Sequence, residues 1–262
     1  MTRHPAALCA LMLGLLAGVT VPAEAGYDRD NAFAISQAAI GKPLGDYTLR
    51  DIGGQPFRLA SLRGRPLVLS LIYTSCHHVC PIITRNLAEA VEIGQEALGD
   101  DAFSVLSIGF DWQVDTPDRM RMYAQSHGID ARGWHFLSGD AATIDALSAD
   151  VGFQFFESVK GFDHLSQTTI VDANGHVYRQ VYGQDFEAPA IVEPLKDLVF
   201  DTRTDAGLIE HWVDTFKLFC TVYDPNTGRY QFDYSIFMTI FVGVLCLGGL
   251  LVFIVREWRH AR

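Results

Sequence analysis

The sequence has few charged residues, and basic residues are the scarcer kind. Charged side chains make up 19% of the 262 residues, whereas 49% are hydrophobic. This composition excludes a disordered chain, because disordered segments combine low hydrophobicity with high net charge. Lys and Arg number 20 against 31 Asp and Glu, so a surface that neutralises nucleic-acid phosphates is not expected. Internal repeats and low-complexity segments are lacking too. We therefore expect a packed domain that does not bind nucleic acid.

One of two long apolar segments lies at the N-terminus. Arg3 precedes an apolar run over 6–20, and a small-residue triplet follows at 23–25. A basic residue, a short apolar run and a small-residue cleavage site are typical of a secretory signal peptide. We predict a signal peptide over 1–25, cleaved after Ala25. The alternative is an N-terminal membrane anchor, which would need about 20 apolar residues.

The other apolar segment, 236–255, lies near the C-terminus and contains no charged residue. At about 1.5 Å per residue, a helix of this length crosses the roughly 30 Å hydrocarbon core of a bilayer. Aromatic residues flank the segment, and a basic tail over 256–262 follows it. The tail is expected on the cytoplasmic side. We predict a single-pass transmembrane helix in the cytoplasmic (inner) membrane, with the preceding domain in the periplasm or another extracytoplasmic space. The alternative is a buried core helix.

Between these ends, strand-like and helix-like stretches alternate. Apolar runs over 66–73 and 103–110 are typical of strands buried on both faces of a central sheet. Helices are predicted after them, over 81–98 and 117–127, and a hairpin is predicted around the turn 174–175. This order indicates an α/β fold, a thioredoxin-like sandwich whose central mixed sheet is flanked by helices. The domains predicted between the two ends are an N-terminal segment (26–42), the α/β domain (43–200), and a linker helix with a juxtamembrane turn (201–235).

The cysteines do not form a simple disulfide framework. Cys9 lies in the predicted signal peptide and Cys246 in the predicted anchor, which leaves three cysteines in an oxidising compartment. Cys76 and Cys80 stand between the end of a buried strand and the start of a helix, where backbone N–H groups and the helix dipole favour thiolates. Such a pair can close a disulfide or chelate a soft metal ion, and the spacing alone does not choose between them.

The segment around this pair resembles a known family. Residues 73–81, YTSCHHVCP, are similar to the Y-T-x-C-x-x-V-C-P signature of the Sco/SenC proteins, which are membrane-anchored, copper-binding assembly factors of cytochrome oxidase. Residues 111–117 resemble the D-x-x-x-D-T-P segment of that family, and residues 162–175 resemble its D-H segment and hairpin. The three segments occur in the expected order, and the resemblance covers about 43–200.

The resemblance implies a mononuclear copper site made by Cys76, Cys80 and His164. Two thiolates suit Cu(I), and an added imidazole allows Cu(II) as well. The resemblance also implies a metallochaperone that delivers copper to a copper centre of cytochrome oxidase. Its expected partners are an oxidase subunit or another copper chaperone, together with the membrane.

The alternative is an enzyme, a thiol-disulfide oxidoreductase that reduces acceptor cysteines before metallation. Cys76 and Cys80 would then be the redox pair, with Cys76 as the nucleophile. Thioredoxin-type reductases usually have CxxC and a proline facing the cysteines, and residues 167–169 contain no proline. We therefore expect a binding and transfer protein and keep the enzyme as the second hypothesis.

The candidate accessory groups are His77, His78, Asp163 and Cys220. The two adjacent histidines stand where many Sco/SenC relatives have a proline and an acidic residue. Two neighbouring imidazoles could widen the choice of copper ligands, although exposed loop histidines are the alternative. Asp111 and Asp115 belong to the matching segments without being assigned as ligands, and Asp115 also fits a helix cap.

Overall fold

The computed structural model describes residues 27–129, 133–202, 221–224, 229–232 and 235–260. The predicted signal peptide, most of the predicted linker and Cys220 lie outside these residues.

Strands and helices alternate along the described chain in the predicted order. The described helices are α1 (Arg29–Ala38), α2 (Val79–Leu98), α3 (Pro117–Ser126), α4 (Ala141–Asp150), α5 (Pro189–Thr202) and α6 (Ser235–His260), with a 3-10 helix at Leu59–Leu62. The strands are β1 (Thr48–Arg50), β2 (Pro56–Arg58), β3 (Leu67–Ile72), β4 (Ser104–Gly109), β5 (Trp134–Ser138), β6 (Phe155–Ser158), β7 (Gly161–His164), β8 (Gln167–Val171), β9 (Val177–Tyr182), β10 (Thr221–Asp224) and β11 (Arg229–Phe232).

Seven of these strands form the central sheet, in the order β2-β1-β5-β4-β3-β8-β9. β3, β4 and β5 are parallel, and the remaining pairs are antiparallel, so the sheet is mixed as predicted. Every residue of β3 and β4 is buried, which confirms that the two apolar runs are interior strands. The predicted mixed sheet with flanking helices is thus confirmed.

Helix α2 leads directly from the end of β3 and carries the second cysteine. Its buried residues recur every three or four positions, as in Ile83, Leu87, Ala90, Gly94 and Leu98, so one apolar stripe faces the core. This stripe packs against α5, which in turn packs against β8 and β9. The cysteine-bearing end of α2 is therefore fixed by the body of the helix.

Helix α1 was not predicted from the sequence. Asp28 caps it, since the Asp28 carboxylate accepts hydrogen bonds from the backbone N–H groups of Asp30 and Asn31 at 3.0 and 3.3 Å. The Tyr182 hydroxyl on β9 then bonds to Ser36 at 2.9 Å and to Gln37 at 2.7 Å. The N-terminal segment predicted over 26–42 is therefore in large part a helix docked on the α/β domain.

The hairpin formed by β6 and β7 was also missed. It is a separate two-stranded sheet in which Phe155 pairs with His164. Phe155 and Phe162 pack against Phe110, which follows β4, at centroid distances of 4.9 and 5.2 Å. Aromatic packing thus brings His164 next to the end of the central sheet.

Helix α6 covers the segment predicted to cross the membrane. Among the described residues, however, no helix combines the length and the apolar character that a membrane crossing requires. The predicted transmembrane helix over 236–255 is therefore not confirmed and stays a prediction from the sequence.

Gly109, at the end of β4, should not tolerate a side chain. A Cβ there would lie 2.4 Å from Cβ of the buried Asp115 and 2.9 Å from Sδ of Met120. We expect Gly109→Ala to lower the free energy of unfolding by about 1–3 kcal/mol, because overpacking displaces buried atoms. Urea unfolding monitored by circular dichroism measures this. Gly53→Ala is the control, since its Cβ would meet only Asp51 Oδ1 at 3.3 Å. Equal stability of the two variants would contradict the prediction.

Candidate functional site

The first turn of α2 is built around the Cys76 sulfur. The chain leaves β3 through a turn in which the Cys76 N–H bonds to the Tyr73 carbonyl at 3.1 Å, and α2 then begins without a side-chain cap from its N-cap residue, His78. Cys76 Sγ accepts the Cys80 N–H at 3.4 Å. The sulfur therefore takes the position of a capping oxygen at the positive end of the helix.

This position makes the two thiols unequal. The pKa of Cys76 is held well below its usual range because the Cys80 thiol, the backbone N–H groups of Cys80 and His78, and the Tyr73 hydroxyl all donate to its sulfur. The pKa of Cys80 is raised, because that thiol donates its proton to Cys76 and is itself buried. Both residues are free cysteines, and Cys76 is 8% exposed against 1% for Cys80. Cys76 is thus the thiolate of the pair and Cys80 the thiol.

Asp115 anchors the turn that precedes Cys76. Its carboxylate accepts the Thr74 N–H at 2.8 Å, the Thr74 hydroxyl at 2.7 Å and the Asp111 N–H at 3.0 Å. Asp115 is 1% exposed, and burial raises its pKa to about 6. The helix-cap interpretation of Asp115 was wrong, since Thr116 caps α3 by accepting the Arg119 N–H. Asp115 instead joins the loop after β4 to the loop that carries the cysteines.

His164 lies at the end of β7, in an aromatic setting. Its ring centroid is 5.4 Å from that of Phe153 and 5.5 Å from that of Phe110, and Nδ1 is 3.2 Å from the Leu165 carbonyl oxygen. Because a carbonyl only accepts, Nδ1 carries the proton and Nε2 keeps its lone pair. Burial lowers the pKa of His164, which also favours the neutral ring. Nε2 is therefore the ring nitrogen of His164 that has a lone pair available.

One cavity of about 410 Å³ is shared by Cys76 and His164. Cys80 does not line this cavity and is almost completely buried. Within the described ranges, no three His, Cys, Asp or Glu side chains are grouped closely enough to hold one metal ion. Cys76 and His164 therefore line a common cavity, Cys80 is buried outside its lining, and the three predicted ligands do not converge on a single point.

Three of the four predicted accessory residues line the same cavity. His77 and His78 are exposed and line it, as does Asp163. Cys220 lies outside the described residues. The sequence did not predict a role at this site for three further residues, Tyr73, Thr74 and Tyr27. Tyr73 and Thr74 fall within the YTSC motif, whereas Tyr27 stands far from it in the sequence.

Comparison with known proteins identifies relatives of this domain. A family model described as SCO1/SenC matches residues 36–199. A SCO2-like protein of Rickettsia felis is 32% identical over 165 residues, which cover 58% of this chain and 75% of the relative. A solved structure from Aquifex aeolicus has a TM-score of 0.55 and 26% identity, covering 66% of this chain and 98% of that one. ScoI of Arabidopsis thaliana with copper bound has a TM-score of 0.52 at 18% identity, covers 61% and 97% of the two chains, and shares the fold.

Cys76 should react with iodoacetamide down to unusually low pH. An ordinary thiol has a pKa of about 8.5, so its alkylation slows about tenfold for each pH unit below that value. Because the pKa of Cys76 is depressed, we expect its rate to stay constant between about pH 8 and pH 6. Mass spectrometry of the modified peptide measures the rate, with Cys76→Ser and free glutathione as controls. A tenfold fall per pH unit would refute the assignment of the thiolate.

Asp115 should make the protein less stable as the pH rises from about 4 to about 6. The unfolded carboxyl has a pKa of about 3.9, whereas burial raises the folded value to about 6. In this window the folded state binds more protons than the unfolded state, so the free energy of unfolding falls with pH, by about 3 kcal/mol in total. Asp115→Asn keeps an acceptor for Thr74 and removes the titration. Urea unfolding at several pH values should show a flatter profile for this variant, and an unchanged profile would contradict the prediction.

Proposed function

Since the chain belongs to the SCO1/SenC family, we propose that it binds copper through Cys76, Cys80 and His164 and delivers the ion to a copper centre of cytochrome oxidase during assembly. One observation carries the proposal. Cys76, whose thiolate is favoured at the start of α2, and His164, whose Nε2 keeps its lone pair, line the same cavity. Thiolate sulfur and neutral imidazole are the donors that copper prefers in proteins.

The site has two halves, the cysteines at the start of α2 and His164 at the end of β7. The positive charge of the ion draws the donor atoms of the two halves together. Cys76 offers its thiolate first, and Cys80 loses its proton only when a cation replaces it, because metal ligands must be deprotonated. His164 then completes the site if the β6–β7 hairpin moves toward the sulfurs. The site accommodates Cu(I) on two thiolates and Cu(II) once the imidazole is added. Exchange of these ligands one at a time for those of an acceptor transfers the ion.

Membrane attachment belongs to the same proposal. We infer that segment 236–255 anchors the domain on the extracytoplasmic side of the inner membrane, because it contains no charge and is followed by a basic tail. A tether confines the domain to the surface that also holds a membrane-bound acceptor, which raises the effective concentration of each for the other. The proposed partners are accordingly an oxidase subunit or another copper chaperone.

A second candidate function is reduction of the acceptor's cysteines. The observation that favours it is the polarised pair itself, in which the Cys80 thiol donates to the Cys76 sulfur. The Cys76 thiolate would attack an acceptor disulfide and release one acceptor thiolate. Cys80 would then pass its proton to the released acceptor thiolate and attack Cys76 Sγ of the mixed disulfide, which releases the second acceptor thiolate, so that the acceptor gains two electrons and Cys76–Cys80 becomes a disulfide.

Copper titration of the reduced full-length protein in detergent, under anaerobic conditions, separates these functions. With a competing chelator, we expect one tight equivalent of copper. We expect Cys76→Ser and His164→Ala to weaken the affinity by more than about tenfold, because each removes a ligand. Sulfur-to-copper absorption provides a second measurement for the Cu(II) form.

Two matched variants serve as controls. His176→Ala removes a half-exposed histidine from the opposite end of the sheet, since β8 runs antiparallel to β3. Cys246→Ser removes a cysteine of α6. Both should bind copper like the wild type. If the protein binds no copper tightly but its cysteines exchange rapidly with protein disulfides, the oxidoreductase replaces the metallochaperone. If copper affinity is unchanged in His164→Ala, the three-ligand site is refuted.

A further inference from the structure

We propose that Tyr27 is a positioning residue for the copper site, because it packs against the β6–β7 hairpin and thereby holds His164 at the mouth of the cavity. This inference rests on the proposed function. Tyr27 lines the same cavity as Cys76 and His164. It precedes residue 36, where the family match begins, so the family resemblance assigns it no role.

Tyr27 is held in place by the helix that follows it. Asp28 caps α1, and α1 is docked on β9 through the two hydrogen bonds to Tyr182. Phe33 adds a ring contact to Tyr182 at 4.9 Å. The backbone of Ile35 also lies close to Gly152, where an added Cβ would come within 2.7 Å of the Ile35 carbonyl oxygen. Tyr27 immediately precedes the capping residue Asp28, so it is attached to a segment that has a fixed position on the domain.

Tyr27 meets the hairpin on the side away from the aromatic core. Phe155 pairs with His164, and Phe156 pairs with Asp163, so these two pairs point to opposite faces of the hairpin. The face of Phe155 packs on Phe110. The Tyr27 ring lies 6.2 Å from the Phe156 ring, and Asp163 is close enough to raise the pKa of Tyr27, although burial is the larger cause. The hairpin is thus enclosed between the core and the N-terminal segment.

This enclosure matters because the hairpin is not part of the central sheet. In the described chain, β6 and β7 pair only with each other, so ring packing has a large share in setting the position of His164. Among the described residues the three proposed ligands are not grouped closely enough to hold one ion, so they must come closer together when copper binds. A ring packed on the outer face of the hairpin blocks movement of the hairpin away from Cys76, and that movement would release the ion.

The test is the rate at which the loaded full-length protein releases copper to a chelator. We expect Tyr27→Ala to release copper about threefold to tenfold faster than the wild type, because the variant loses one aromatic contact. Tyr27→Phe keeps the ring and should behave like the wild type. The sulfur-to-copper absorption of the Cu(II) form of Tyr27→Ala should also shift toward that of His164→Ala. Release from Tyr27→Ala at the wild-type rate would overturn the proposal, and so would equally fast release from Tyr27→Phe.

Two comparisons separate positioning from a general loss of structure. Trp112→Ala removes an exposed aromatic ring from the loop after β4, and this ring neither belongs to the docked segment nor lines the cavity. It should leave copper release unchanged, and faster release from it would contradict the proposal. In a His164→Ala background, Tyr27→Ala should have no further effect, because Tyr27 acts through that histidine. Additive effects of the two substitutions would also contradict it.

The same data distinguish this inference from the function on which it rests. If the wild type binds no copper tightly, the proposed function itself fails. If the wild type binds copper and His164→Ala weakens it, while Tyr27→Ala matches the wild type in rate and spectrum, only the role of Tyr27 is refuted.

Discussion

The site depends on a sulfur that takes the place of a helix cap. α2 starts without a capping side chain, and Cys76 Sγ accepts the amide that would otherwise be left without a partner in the first turn. The partial positive charge at this end of the helix favours the thiolate, and the Cys80 thiol strengthens the preference by donating its own proton. Removing the sulfur would therefore uncap α2 as well as remove a proposed ligand. The chemistry of the pair and the stability of α2 are two effects of one contact.

Two negatively charged groups act on Cys80, the Cys76 thiolate and the Asp115 carboxylate. Asp115 is buried and bonded to Thr74, and both its carboxylate and the Cys76 thiolate help to keep Cys80 protonated. Deprotonating both cysteines would place three negative charges in a small, poorly solvated volume, which is costly unless a cation enters at the same time. The arrangement therefore favours the binding of a cation and disfavours a pair in which both cysteines are deprotonated and no cation is bound. It also explains why a buried carboxylate near the cysteines is compatible with a metal site without serving as a ligand.

Local patterns predicted most of the central sheet, and contacts between distant residues account for what was missed. The apolar runs of β3 and β4 indicate buried strands by themselves, and the turn at 174–175 indicates the β8–β9 hairpin. The role of Asp115 could not be deduced, because its partner Thr74 is 41 positions away and no local rule joins them. α1 carries a usable signal in its cap, Asp28. The β6–β7 hairpin has little signal, since adjacent aromatics at Phe155 and Phe156 obscure the alternation that indicates a strand.

The two halves of the site are held by different kinds of interaction. Directional hydrogen bonds fix the cysteine turn, because Asp115 bonds to both the backbone and the side chain of Thr74. Aromatic rings surround the histidine, and ring packing tolerates small shifts because its energy varies slowly with position, whereas a buried hydrogen bond is costly to break. A protein that only stores a metal gains from fixing every ligand. Under the proposed function the ion must also be released, which is favoured when one half of the site is rigid and the other can withdraw. The hydrogen-bonded turn before α2 and the aromatic setting of the β6–β7 hairpin correspond to these two halves.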